Sequence, residues 1–128
     1  MSFDWAEYLE LALELMGQEV APAGEEARLR AAVSRAYYAA FCKARNCLLE
    51  EGWDLPRDSK IHAAVHERFA TSSYNRRKQI GMDLKRLRAD RNKADYDNYV
   101  KGLKETALLD IELSRRVLEN LRQLRGTA

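Results

Sequence analysis

A chain of 128 residues has room for one hydrophobic core but not for two ordinary domains, so residues 1–128 are expected to form a single unit. Hydrophobic residues make up 46 % and charged residues 33 %, while Gly and Pro fill only six and two positions, a mixture that favours helices with solvated faces. The net charge of +2 gives no overall pull toward a polyanion, and no apolar run approaches the ~18 residues of a membrane span.

The first helix is expected to open after Ser2 and to run to about Ala21, where Pro22 and Gly24 stop it. Trp5, Tyr8, Leu9, Ala12, Leu15 and Met16 share one broad face. Every charged side chain from Met1 to Ala27 is acidic, which suits the positive end of a helix dipole. A second helix spans about Glu25 to Glu51, with Gly52 placed for a left-handed C-terminal residue. Its main stripe is Val33, Ala36, Tyr37, Ala40, Ala44 and Leu48. The opposite side, with Ala31, Ala32, Ala39 and Cys42, is small and weakly apolar as well, and Arg35 and Tyr38 sit among them. A helix apolar on two sides is either central in a bundle or shared with a partner subunit, and the second case is a homodimer. Cys42 and Cys47 lie about 140° apart on that helix, so they are not expected to pair. Thiols of this kind without a signal peptide suggest a reducing, cytoplasmic setting.

A loop over residues 53–58, with Pro56, leads into a short helix from about Ser59 to Ala70, capped by Asp58 or Ser59. Ile61, Val65 and Phe69 give it one narrow buried stripe. His62 and His66 share a face at a spacing that can chelate a transition metal. Ala63 stands where a metalloprotease keeps its Glu, however, and no third ligand is evident nearby. Both are therefore read as surface or rim histidines, with neither metal nor cofactor expected. The next helix runs from about Arg76 into the Ala94–Tyr96 region, weakened near its start by Gly81. Between Arg76 and Lys93 eight basic residues face only Asp83 and Asp90, a run that is either a solvated face or a positive field for phosphates. Asp97 or Asn98 then caps a last helix reaching about Leu124, with Val100, Leu103, Ala107, Leu108, Ile111, Leu118 and Leu121 inward. The expected fold is all-α, an antiparallel bundle of four main helices plus one short helix.

In the basic helix Ile80, Leu84 and Leu87 recur at helical spacing, and one further step of four lands on Arg91. At about 100° per residue Arg91 projects toward whatever the stripe packs against. A guanidinium there needs acceptors or an anion, so the position is either a structural ion pair or a ligand site. No glycine-rich phosphate loop, Cys-x-x-Cys pair or nucleophile elbow is present, which leaves most common enzyme classes without a foothold. What remains is the neighbourhood of Arg91 and the aromatic patch from Ser34 to Phe41.

Three segments in order, SRAYYAAFCKARNCLLEEG, SKIHAAVHERF and RLRADRNKADYD, resemble the HEPN domain (higher eukaryotes and prokaryotes nucleotide-binding). The likeness is to the small prokaryotic branch with Arg-x-x-Ala-Asp-Tyr, reproduced by Arg91, Ala94, Asp95 and Tyr96. It implies a helical bundle, commonly dimeric, with the Arg-bearing motif facing a cleft between subunits. In catalytic branches the motif reads Arg-Asn-x-x-x-His and cleaves RNA without metal: a 2′-hydroxyl attacks the phosphate, Arg stabilises the phosphorane and His moves protons. Arg91 and Asn92 match, but Tyr96 stands at the histidine position, and a phenol is a poor base at neutral pH. Family relatives are often encoded beside a nucleotidyltransferase-like protein and act with it as toxin and antitoxin.

The leading expectation is a homodimeric, cytoplasmic RNA- or nucleotide-binding protein with weak or absent ribonuclease activity. Arg91, Asn92, Asp95 and Tyr96 would form its ligand site. His62, Arg35 and Tyr38 would assist, and Lys85, Arg88 and Lys93 would attract phosphate. The competing expectation is a non-catalytic helical dimer that docks a nucleotidyltransferase-like partner, with Arg91 in a structural pair with Asp95 or with Asp90 of the partner subunit.

Overall fold

The computed structural model describes residues 3–17 and 24–126. Five helices form: α1 (Glu7–Gly17), α2 (Glu25–Glu50), α3 (Ile61–Ala70), α4 (Asn75–Tyr96) and α5 (Leu103–Gly126), with no strand among the described residues. Side-chain pairs fix their directions. Asp4 with Lys43 and Tyr8 with Arg35 set α1 antiparallel to α2. Glu51 with Arg77, Tyr38 with Arg91 and Arg30 with Ala94 set α4 antiparallel to α2 as well. Arg76 with Asn120 and Asp83 with Arg116 run α5 back along α4. The four main helices thus alternate in direction as the composition and stop signals predict, with α3 laid against α4.

The middle of the bundle belongs to α2. Tyr37, Phe41 and Leu48 meet Val65 and Phe69 of α3, Leu84 and Leu87 of α4 and Val117 of α5. Ala32, Ala36 and Ala39 meet Leu9 and Ala12 of α1 and Ile111 of α5, while Leu29 and Val33 meet Ala94 and Ala107. Both apolar sides of α2 are therefore covered within one chain, and its small residues are what let α1 lie close. Cys42 and Cys47 are buried and free. Burial pushes both thiols up, Cys47 to about 11 with the Glu51 carboxylate adding to the effect.

Several boundaries differ from expectation for local reasons. Residues 4–6 form a turn rather than helix, because Asp4 takes the Ala6 N–H on its carboxylate at 3.1 Å and the Glu7 N–H on its carbonyl at 3.0 Å. The expected extension of α1 to Ala21 and the Pro22 stop lie outside the described residues. Gly52 adopts the left-handed conformation (φ 93°) that ends α2. The Asp58 carboxylate accepts the Lys60 N–H at 3.0 Å, so it closes a turn and α3 proper begins at Ile61.

The largest departure is the start of α5, at Leu103 rather than at an Asp97 or Asn98 cap. Arg30 reaches across from α2 and donates to the carbonyls of Ala94 (2.9 Å), Asp97 (2.6 Å) and Asn98 (3.2 Å), which holds the last turn of α4 and the two residues after it. Gly102, at φ 65°, then turns the chain into α5. On α5 Leu108 faces outward, 53 % exposed, whereas Asp110, Ser114 and Val117 hold inward positions. Ser114 is accommodated by donating to the Ala36 carbonyl at 2.8 Å. No helix of the described residues is long and apolar enough to cross a membrane.

Candidate functional site

Ile80, Leu84 and Leu87 are buried against the core as their spacing predicts, and Arg91 follows one turn later with its side chain 15 % exposed. Its guanidinium is held on three sides. Nη2 donates to the Tyr38 hydroxyl at 2.6 Å and Nη1 to the Asn92 side-chain oxygen at 3.0 Å. Nε lies 2.9 Å from Asp95 Oδ2, one helical turn on, but off the line needed for a hydrogen bond, so attraction there is mainly electrostatic. Asp95 also accepts from Ser34 Oγ at 3.3 Å, and that oxygen accepts from Arg35 Nη2 at 3.3 Å. Tyr96 is 73 % exposed, with its ring 5.8 Å from the Arg91 guanidinium.

The aromatic patch of α2 forms the wall opposite. Tyr37 is fully buried, and burial pushes its phenol far up, so it stays protonated. Its hydroxyl lies 2.6 Å from His62 Nδ1. With that hydroxyl as donor, the neutral imidazole carries its proton on Nε2. His62 stacks on Phe41 with centroids 4.5 Å apart and stands edge-on to Tyr38 at 6.3 Å, so Tyr38 touches both His62 and Arg91. Burial first, then the charges of Arg88 and Arg91, hold the His62 imidazole below the ordinary histidine range. His66 is buried rather than at a rim, because α3 turns it toward Arg88 and Lys85. Burial and the Arg88 charge lower it too. Among the described residues no group of three or more His, Cys, Asp or Glu side chains could hold a metal ion.

Charge sorts along α4 by face. Asp83 and Asp90, the acids of the basic run, are buried and paired, Asp83 with Nη2 and Nε of Arg116 at 2.7 and 2.8 Å and Asp90 with Nε of Arg86 at 3.0 Å. Arg35, Lys85 and Arg88 make no ion pair among the described residues, and Asp95 is the carboxylate that meets the Arg91 guanidinium. Lys93 stands apart from this group. It lines a separate cleft with Arg86, Tyr99 and Lys101, since five residues from Arg88 is about 140° around the helix. Three features escaped the sequence: the Tyr37–His62 bond, the approach of Trp5 and Tyr8, and a fully buried Asp110 beside Asp90. Only the last carried a signal, because Asp110 falls on the same helical stripe as Leu103, Ala107, Ser114, Val117 and Leu121.

In a comparison with protein families, the HEPN domain model matches residues 21–124. The chain belongs to the HEPN domain family. Most of this HEPN protein is covered by the match, from before α2 to the last turns of α5, while α1 lies ahead of it. No curated protein and no solved structure matches the chain.

Proposed function

We propose that this HEPN protein binds single-stranded RNA, or a nucleotide, through a phosphate seated at Arg91, with Arg35, Arg88 and Lys85 supplying the surrounding field. The observation that carries this reading is the largely buried Arg91 guanidinium, flanked by Arg35, Arg88 and Lys85, which make no ion pair among the described residues. The homodimer implied by the resemblance belongs to the same proposal. Cleavage is expected to be weak or absent: Tyr96 offers an exposed phenol where the nuclease branches keep an imidazole, and the His62 ring has its Nδ1 tied to Tyr37.

Arg91→Ala should weaken binding to a labelled single-stranded RNA by about tenfold to a hundredfold, the size expected when a charged hydrogen-bond donor to phosphate is lost. The fold should persist, because Asp95 keeps its hydrogen bond from Ser34 and stays in contact with water. Wild-type affinity should fall as salt rises, and the slope should be shallower in the variant. Unchanged affinity and an unchanged salt slope would remove the phosphate site.

One observation favours a second reading. Arg91 meets Asp95 of its own chain, and Tyr96 and Tyr99 stand largely exposed at the end of α4, a surface suited to a protein partner such as a nucleotidyltransferase-like protein. Co-purification of a stoichiometric protein without nucleic acid, with no RNA-dependent change in mobility, would favour this interaction module over an RNA-binding protein.

A further inference from the structure

A second cavity begins where the Arg91 cluster ends. Its volume is about 360 Å³, and Trp5 and Tyr8 of the α1 region face Tyr38 and Phe41 of α2 across it, with His62 of α3 at one side. Trp5 and Tyr8 stand edge-on, 5.5 Å between centroids, as do Tyr38 and His62. Two guanidiniums lie on these rings: Arg35 is 4.8 Å from the Tyr8 centroid and 5.3 Å from that of Tyr38, and Arg45 is 5.5 Å from Trp5. Neither forms an ion pair among the described residues, and no carboxylate lines the cavity. Tyr38 is shared, since its ring borders the cavity while its hydroxyl accepts from Arg91.

We propose that this cavity receives an unpaired nucleobase whose neighbouring phosphate sits at Arg91, so that Trp5 and Tyr8 make binding depend on the base as well as on charge. The inference rests on the Arg91 reading and adds a subsite to it. A planar base can stack on the guanidinium planes and ring edges that line the cavity, while the guanidinium N–H groups reach phosphate. The volume is at the lower end of ligand cavities and suits one base. A base inside a duplex stays stacked between its neighbours, so the cavity selects for single strands. Trp5 and Tyr8 precede the part of the chain matched by the HEPN model, which begins at residue 21.

Two polymers of equal length and charge separate the two sites: a single-stranded RNA and an abasic ribose-phosphate oligomer. Wild type should bind the single strand about tenfold more tightly than the abasic oligomer. Tyr8→Ala and Trp5→Ala should remove that preference while leaving abasic affinity unchanged, and Arg91→Ala should weaken both. Equal wild-type affinity for RNA and abasic oligomer would overturn the base subsite. So would retention of the preference in both aromatic variants, even with the Arg91 effect intact. Loss in the aromatic variants with none in Arg91→Ala would support the base cavity and remove the phosphate reading instead. A second readout needs no destabilising change. The chain has two tryptophans, and Trp53 lies elsewhere, under Arg68 at 3.9 Å. In Trp53→Phe the emission reports Trp5 alone, and single-stranded RNA should quench it where the abasic oligomer does not. Equal quenching by both would count against stacking.

Discussion

A Gly81→Ala variant is expected to melt about 10 °C below wild type. On helix propensity alone the change should stabilise by ~1 kcal/mol, because glycine in a helix interior carries extra backbone entropy. Packing reverses the sign. A Cβ at Gly81 would stand 2.2 Å from the Ala70 nitrogen and 2.5 Å from its Cα, and backbone atoms cannot rotate out of the way as a flexible side chain would. The C-terminal end of α3 would have to lift off α4, loosening Val65, Phe69 and Ile80, all fully buried. Overpacking of this kind costs about 1–3 kcal/mol, and with a backbone obstacle the upper end applies, so the steric loss exceeds the propensity gain. Circular dichroism melts of the two proteins decide it, and a variant as stable as wild type would mean that α3 sits farther from α4. Since α3 also carries His62, the same variant should loosen the candidate site.

Asp110→Asn is expected to stabilise the protein, and increasingly so as pH rises. Asp110 is 0 % exposed, its nearest polar company is the Asp90 carboxyl, and burial pushes it up to about 9, with the hydrogen bond to Asp90 and the Asp90 charge reinforcing the shift and Arg86 opposing it. It is therefore protonated at neutral pH, with the Asp90 carboxyl beside it. The unfolded chain titrates near 3.8, so the folded state binds the extra proton between about 4 and 9. The stability this group provides is complete below the unfolded value and is lost as pH rises through the folded one. An asparagine donates to Asp90 at every pH. Relative to wild type the variant should gain stability steadily between pH 5 and pH 9, approaching ~1.4 kcal/mol per pH unit, and level off above that. Melting curves that stay parallel across this range would contradict a protonated Asp110 in the folded protein.

How far the sequence reaches is clear from individual residues. The stripe of Ile80, Leu84 and Leu87, the left-handed end at Gly52 and the number of helices follow from local rules, because spacing, glycine and capping chemistry act within a few residues. The Arg91–Asp95 pair is legible for the same reason, being one helical turn apart. The start of α5 was hidden because Arg30, more than sixty residues away, holds the carbonyls that end α4. Gly81 shows the limit in another way, since propensity marks it as a weak point and only the position of Ala70 reveals a close approach. The buried setting of His66 and the Tyr37–His62 bond depend on how α3 is seated, which no periodicity encodes.

Arg30 has an electrostatic consequence for the site as well. A helix of this length ends with roughly half a negative charge spread over its last carbonyls, and the Arg91–Tyr96 segment occupies that end of α4. An anion approaching Arg91 would meet this pole as well as the guanidinium. The positive charge of Arg30, donated into the Ala94, Asp97 and Asn98 carbonyls, offsets it where it is strongest. A residue that looks like a splint is thus also a counter-charge, offsetting the negative pole of α4 beside the Arg91 guanidinium.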